Sequence, residues 1–443
     1  MDLKRYKLGE IVKLHTITIS PNSGTIYKLY SLPSFDNGMQ CEIVDGNYIQ
    51  SNKFSVPNKC ILFNKLNVRF KRVWRINNED TNKLCSTEFL PLIVDENIVD
   101  YQYLYYLLIS DGITNYLCGQ NTNTSGSHKR IDPNDFLNIN VFLPSKSAQK
   151  QIGKLLSYID NKINLNHALN QNLEAMAKQL YDYWFVQFDF PDENGRPYKS
   201  NGGEMVWNKK LKREIPKGWN VLKLGERCSF NKRTSSGYFN HSILYLDTSN
   251  ITNNTIDELQ FLNPSSDIIP SRARRLVQEG DIVYSTVRPN LKHFGIIMNP
   301  DYNMVVSTGF AVITANWSAY RYFIYQFLIQ AATIENLSTI AQSAVSAYPS
   351  INTSDIENLD LVVPPDSMIE EYAKISCRLY LQIDTNYKEI KSLTKQRDEL
   401  LPLLMNGQVS VNSDLSVYKE KMRGNTPSFS LNLISYIQLL QRQ

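Results

Sequence analysis

The 443-residue chain is poor in the residues that build metal and redox sites. Its six cysteines (Cys41, Cys60, Cys85, Cys118, Cys228 and Cys377) form no Cys-x-x-Cys pair, and no two of its five histidines lie four apart. That spacing speaks against structural zinc and against a disulfide framework. Its 19 glycines never fall as Gly-x-Gly, and no GxxxxGK[ST] is present. A glycine-rich cofactor loop and a phosphate loop are therefore not encoded. No run approaches the roughly 18 apolar residues of a membrane span, and the opening MDLKRYKLGEIVKLH holds no apolar stretch of signal-peptide length. A soluble, cytoplasmic protein with no membrane partner is expected. Net charge is only +4, short of the basic footprint that announces a nucleic-acid binder by itself. What the chain does have is 42% hydrophobic residues and a length beyond one ordinary core, so two or more domains are expected. Its basic excess is local. From Pro191 to Gly225 eight basic residues stand against four acidic ones, a pattern that also suits a solvated linker.

The chain is written twice. Leu8-Gly9-Glu10 recurs as Leu224-Gly225-Glu226, 216 residues later. CILFNKLNVRFK (60–71) matches DIVYSTVRPNLK (281–292) at an offset of 221, as Ser86-Thr87-Glu88-Phe89 matches Ser307-Thr308-Gly309-Phe310. RIDPNDFLNINVFLP (130–144) aligns with SINTSDIENLDLVVP (350–364) at an offset of 220, pairing Ile131, Asp135, Asn138 and Pro144 with Ile351, Asp355, Asn358 and Pro364. Matches kept in order over most of the chain identify an internal duplication.

Each repeat begins with β-rich runs between turn clusters and a tyrosine-rich buried helix (YQYLYYLLI, RYFIYQFLI). Each then enters a long helix after Pro144 or Pro365. Steps of four and three from Ile152 give Leu156, Ile159, Ile163, Asn166, Asn170, Leu173, Ala177 and Leu180. The second copy gives Tyr372, Ser376, Leu379, Ile383, Asn386, Ile390, Leu393, Arg397 and Leu400. That is coiled-coil spacing, with Asn166 and Asn386 at equivalent seam positions, where an asparagine fixes register. Some 35 residues span roughly 50 Å, long for a helix serving one small domain. Ile159, Ile163, Asn166, Leu173, Leu379, Ile383, Asn386 and Leu393 are the expected pairing residues; the alternative packs each helix on its own domain with Asn166 in water. The expected fold is mixed α/β and duplicated, its two long helices paired as an antiparallel coiled coil with pseudo-two-fold symmetry. The expected boundaries are residues 1–144, helix 145–190, basic linker 191–218, second domain 219–364, helix 365–407 and tail 408–443. Within the tail, SLNLISYIQLLQRQ fits a short amphipathic helix.

Between Lys59 and Arg75 lie Lys65, Arg69, Lys71 and Arg72 with no acidic residue, and with Phe63, Phe70 and Trp74 interleaved. Such a stretch suits phosphate or guanine contacts; a strand with one solvated basic face is the alternative. Arg288, Asn290, Lys292 and His293 fall at equivalent positions, and Arg272, Arg274 and Arg275 form a second cluster that could also be a solvated turn. The loops NTNTSGSHKR (121–130, with His128, Lys129 and Arg130) and AQSAVSAYPS (341–350) precede the long helices. Their Asn, Gln and Ser side chains suit adenine edges, or plain surface.

These features together resemble the specificity subunits of type I restriction-modification systems. The resemblance is carried by the two Leu-Gly-Glu openings, KLNVRFKRVW and GDIVYSTVRPNL, the Ser-Thr-x-Phe pair and the long helices. QLYDYWFVQFDFPDENGRPYKSNGGEMVWNKKLKREIPKGW is similar to the family's central join, and DELLPLLMNGQVSV to its closing segment. It covers roughly residues 5–412. The resemblance implies a non-catalytic chain in which two target recognition domains each read half of a split double-stranded DNA target. The helices would set the spacer and bind two methyltransferase subunits, and restriction subunits would complete an ATP-driven endonuclease. Adenine N6 methylation would belong to the partners, which would use S-adenosylmethionine, ATP and magnesium; this chain would hold no cofactor. Asn299-Pro300-Asp301-Tyr302, near the Asn-Pro-Pro-aromatic motif of adenine methyltransferases, carries aspartate for a proline and reads as a turn. The first repeat departs from the pattern: Lys59-Cys60 stands for Gly280-Asp281, Val68 for a proline and Glu88 for Gly309. Turn geometry around residues 59 and 68 is thereby left open. A non-DNA coiled-coil adaptor and a silent orphan subunit remain rival readings, separated from the first by salt-dependent affinity for duplex DNA.

Overall fold

The computed structural model of the chain describes residues 2–119, 130–343, 349–409 and 411. His128 and Lys129, most of the two serine- and asparagine-rich loops, and the expected tail helix lie outside them. The described residues divide into two compact units. One holds those up to Asn164 with those from Ile390 onward; the other holds those of Leu165–Glu389. Two long helices, α1 (Lys146–Tyr181) and α2 (Asp366–Met405), contribute one half to each unit.

In the first unit an antiparallel four-stranded sheet runs Val12–Leu14, Phe89–Val94, Lys59–Asn64, Val73–Asn77. A five-stranded sheet runs Thr18–Ile19, Lys53–Ser55, Lys83–Cys85, Ile26–Tyr30, Glu42–Asp45, and its Ile26–Tyr30 and Lys83–Cys85 strands are parallel. The central strand Lys59–Asn64 shows why an unbroken apolar run was needed. Strand residues alternate faces, and both faces of this one are covered. Ile61 and Phe63 pack with the tyrosine-rich helix Tyr101–Ile109 and α1, while Cys60 and Leu62 pack with Tyr30, Trp74 and Phe89. The second unit repeats this. Ile282 and Tyr284 face the helix core, Val283 faces Leu246 and Phe310, and the sheet runs Cys228–Phe230, Phe310–Ala315, Ile282–Ser285, Phe294–Ile296.

The Leu-Gly-Glu openings fold alike. Leu8 and Leu224 are fully buried, and their backbone N–H groups donate to the carbonyls of Ile139 and Leu359, both at 2.9 Å. Glu10 and Glu226 accept from the backbone of Lys7 and Lys223, a reach-back that satisfies an otherwise open donor. Gly9 and Gly225 lie so close to the short helices Pro133–Leu137 and Thr353–Glu357 that an added Cβ would sit 3.3 Å from Leu137 and 3.4 Å from Glu357. Asn138 and Asn358, matched in the repeat, end those helices by donating to the Asn134 and Ser354 carbonyls.

Residues 191–218, read from their charge as a linker, are not a bare one. Met205–Asn208 and Arg213–Pro216 form an antiparallel hairpin. Before it, α1 ends in a π-helical turn over Asp182–Val186 that turns Trp184 and Phe185 into the core, and Phe190 stacks between Tyr198 and Trp219.

Within each unit the two long helices run antiparallel. In the first, Ile152, Leu156, Ile159 and Ile163 share a core with Leu393, Leu400 and Leu404. Arg397, at a seam position, donates to Asp160 at 3.1 Å, and Asp160 accepts from Tyr106 at 2.5 Å. In the second, Ile383 is buried and Leu173 and Leu379 are half-buried against the same core. Asn166, Asn170 and Asn386 are 1%, 3% and 4% exposed. The two equivalent asparagines do not meet. Asn386 donates to Asn170 at 2.8 Å, Asn170 donates to the Ile383 carbonyl at 3.4 Å, and Asn166 donates to Glu389 at 2.8 Å. Antiparallel pairing sets position 386 opposite 170, so the partner of Asn386 is the next seam residue.

A buried amide left without its partner costs about 1–3 kcal/mol. Asn386→Ala is therefore expected to destabilise the chain by that amount in urea unfolding, while leucine at both 170 and 386 recovers most of it. An equal loss in the double variant would assign the effect to packing instead.

Glu174 gives a pH signature. Its carboxylate is turned inward, accepting from Asn254 at 2.6 Å and Tyr380 at 3.5 Å, and burial pushes its pKa up to about 7 despite those hydrogen bonds. The folded pKa lies above the unfolded value of about 4.3. Its stabilising contribution is thus complete below about pH 4.3 and is lost as pH rises to about 7, by on the order of 3 kcal/mol. Glu174→Gln should flatten the dependence of Tm on pH across that window and raise Tm at pH 8. An unchanged slope would assign the dependence to other groups.

Candidate nucleic-acid interface

In both repeats three backbone segments converge. Asn64 N–H donates to the Arg72 carbonyl at 3.0 Å and Ser285 N–H to that of His293 at 2.9 Å, closing a loop on each central hairpin. The side chains of Asn64 and Ser285 accept from Leu66 N–H at 2.9 Å and Val287 N–H at 3.2 Å. Lys65 N–H and Thr286 N–H each donate, at 2.9 Å, to the third residue of the Ser-Thr-x-Phe turn, Glu88 or Gly309. Ile131 and Ile351, just past the serine- and asparagine-rich loops, donate back to the Lys65 and Thr286 carbonyls at 3.0 and 2.8 Å. The offsets of these bonds are those of the sequence repeat.

Each loop carries one 3-10 turn, Val68–Phe70 or Pro289–Leu291, bracketed by left-handed residues. These are Asn67 (φ 51°) and Lys71 (φ 46°) in the first repeat, Arg288 (φ 48°) and Lys292 (φ 58°) in the second. The missing proline at Val68 thus leaves the turn geometry unchanged. At residue 59 the repeats do differ. Gly280 turns at φ 80° and Asp281 is buried, accepting from Arg233, Thr314 and the Gln278 backbone. Lys59 and Cys60 instead extend the strand. A left-handed conformation at a residue with a Cβ costs roughly 1–2 kcal/mol. The left-handed residues fall at paired positions, Asn67 with Arg288 and Lys71 with Lys292, so both repeats hold the same turn.

Of the expected contact residues, several are spent inside the first unit. Lys71 pairs with Asp111 at 2.5 Å, Arg72 makes two bonds of 2.7 Å to Asp36, and Phe63 and Trp74 are core. Lys59 pairs with Glu96, and Arg75 lies 4.2 Å over the Tyr105 ring and donates to Ser157. Arg69 is exposed beside the exposed Phe70 ring, and Lys65 is half-buried at the three-way junction. Arg130 is exposed there too and forms a bidentate pair with Glu88. In the second unit Arg288, Asn290 and Lys292 are exposed on one turn. His293 is half-buried and anchored to Ile251 and Thr252. Arg272 is exposed on the far side of the Ser-Thr-x-Phe turn, its carbonyl accepting from Thr308 at 2.8 Å. Arg274 packs against Gly237, and Arg275 is half-buried with burial lowering its pKa. The frame therefore gathers Arg272, Arg288, Asn290 and Lys292 in one unit and Lys65, Arg69 and Arg130 in the other. Glu88, Asp36 and Asp111 were not foreseen as partners; they lie 36 to 42 residues from their cations, beyond any periodic signal.

Among the described residues no group of three or more His, Cys, Asp or Glu is placed to hold a metal ion, and no helix is long and apolar enough to cross a membrane.

A sequence model of the type I restriction modification DNA specificity domain matches residues 2–175 and again residues 216–395. Similar curated proteins include the type I restriction enzyme HindI specificity subunit of Haemophilus influenzae. It is 22% identical over 92% of this chain and 100% of its own length. The MjaIX specificity subunit of Methanocaldococcus jannaschii is 26% identical over 74% of each chain. Among solved structures, the S subunit of a type I restriction-modification system from M. genitalium matches with a TM-score of 0.54 at 15% identity. That match covers 91% of this chain and 96% of that one, a likeness of fold.

Lys292→Gly separates frame from contact. Glycine accepts the left-handed φ without penalty but is more flexible when unfolded, so stability is expected to stay level or rise by up to about 1 kcal/mol. If the ammonium meets a phosphate, affinity for duplex DNA falls and the slope of log K against log salt shrinks by about 0.9. An unchanged slope would remove Lys292 from the interface.

Proposed function

Because the chain belongs to the type I restriction-modification DNA specificity family, we propose that it is the sequence-specificity subunit of such a complex, each recognition domain reading one half of a bipartite target. The observation that carries this reading is the duplicated frame. A turn held in a strained backbone, rich in cations, is hydrogen-bonded in each unit to the same two neighbouring segments. Cations on such a turn suit phosphates, which position a protein, and Arg and Asn suit base edges, which specify it. Lys65, Arg69, Arg130, Arg272, Arg288, Asn290 and Lys292 are the proposed contact set.

The long helices would set the spacer and recruit two methyltransferase subunits, with restriction subunits completing the assembly in the cytoplasm. The chain would have no catalytic residue and no cofactor; S-adenosylmethionine, ATP and magnesium would be used by the partners.

Modification mapping tests this. The chain is co-expressed with the methyltransferase subunit of its system in a host lacking other adenine methylation, and N6-methyladenine is located by single-molecule sequencing. The expected result is a split motif of two defined halves and a fixed gap, lost when the chain is omitted. A soluble complex that leaves no methylation would instead favour an adaptor or a silent subunit.

A further inference from the structure

The Glu88–Arg130 pair has no counterpart in the second unit, where Gly309 and Ser350 stand at those positions. Its geometry is that of a held side chain. Arg130 Nε lies 3.0 and 2.9 Å from the two Glu88 oxygens and Nη2 lies 2.8 Å from Oε1, so the carboxylate takes the side edge of the guanidinium and Nη1 lies outside the pair. The carboxylate is the inner partner and the guanidinium the outer, at 21% and 56% side-chain exposure. Both ends of the arginine are tied to the same frame. Its backbone bridges Leu66, the next residue bonds to the Lys65 carbonyl, and the Lys65 N–H bonds to the carbonyl of Glu88 itself.

Charge decides what such an arginine is suited to meet. A guanidinium neutralised by an adjacent carboxylate gains little from a phosphate, which the carboxylate repels. Its remaining N–H groups keep their direction, and directed donors in a fixed plane match guanine O6 and N7. The fixed rotamer also means that little side-chain freedom is lost on contact.

We infer that Glu88 is a positioning residue that holds Arg130 for a guanine in the half-site read by the first recognition domain. The inference rests on the reading of the chain as a DNA specificity subunit and goes one step further, to a base and to the residue that orients its reader. The second domain, lacking both residues, reads its half-site without this device.

The test uses the full chain in complex with its methyltransferase subunit, mapping methylated motifs for the parent, Glu88→Ala, Glu88→Gln and Arg130→Lys. Each variant is expected to relax one G·C pair in one half of the motif by roughly 10- to 100-fold, with the other half and the gap unchanged. The unchanged half is the internal control for folding, and Glu88→Gln preserves side-chain volume. Duplex affinity at a cognate site should fall while the slope of log K against log salt stays constant. An unaltered motif in all three variants overturns the inference. So does uniform weakening with the slope reduced by about 0.9, the signature of a phosphate contact. If the parent itself methylates no split motif, the specificity reading falls and this inference with it; a parent motif that the variants do not alter removes the inference alone.

Discussion

Neither unit can close its core with its own half of the sequence, and the rest of the architecture follows from that constraint. In the first unit, Ile152, Leu156 and Ile159 of α1 need Leu393, Leu400 and Leu404 of α2, which lie more than 230 residues later. In the second, the aromatic cluster around Tyr181 and Phe185 is completed by Tyr372, Tyr380 and Ile383. Fully burying an apolar side chain of this size contributes about 1.5–3 kcal/mol, so the exchanged half-helices supply a large share of each domain's stability. The recognition fold and the helix pairing are consequently one folding problem.

The helix contacts in the second unit are also unusually polar, and their buried asparagines and Glu174 are hydrogen-bonded. Asn386 meets Asn170, Asn166 meets Glu389, and Glu174 reaches Asn254 in the recognition domain, whose backbone neighbour Thr255 bonds to Tyr387 on α2. Asn254 also accepts from Ile296 N–H, so one side chain ties α1 to the strand beside the basic turn. Buried polar groups are expensive to leave unpaired, and a shift of one helical turn would unpair all of them. Register is therefore specified at the seam and passed to the recognition domain through the same hydrogen bonds.

Periodicity made most of the fold legible, because its causes are local. The tyrosine-rich helices, the central strands and the two long helices follow from patterns within single segments. The duplication explained the rest of the outline, since equivalent positions at offsets of 220 and 221 make the same backbone bonds. What stayed hidden was pairing at a distance. The basic run from Lys59 to Arg75 read as one cationic surface, yet Asp36, Glu96 and Asp111 take three of its cations and Tyr105 a fourth. The linker reading of residues 191–218 counted charge and missed the hairpin of Met205–Asn208 with Arg213–Pro216 and Tyr198, whose stacking on Phe190 is aromatic and non-periodic. The partner of Asn386 was likewise not legible in the repeat, because an antiparallel pair joins inequivalent positions.

The separation between a backbone frame and the side chains it displays lets one fold carry different surfaces. Backbone bonds from Lys65 and Thr286, which involve no side chain, fix the turn, the Ser-Thr-x-Phe segment and the start of the short helix in both units. Side chains at the positions so displayed then differ between the units: Arg69 against Asn290, Glu88 against Gly309, Arg130 against Ser350. Exchange at Gly309 is restricted, since a Cβ there would come within 2.8 Å of Thr248. The second domain can therefore acquire a carboxylate at that position only if Thr248 moves or is replaced by a smaller residue. The two domains, built on one frame, are in this respect not open to the same substitutions.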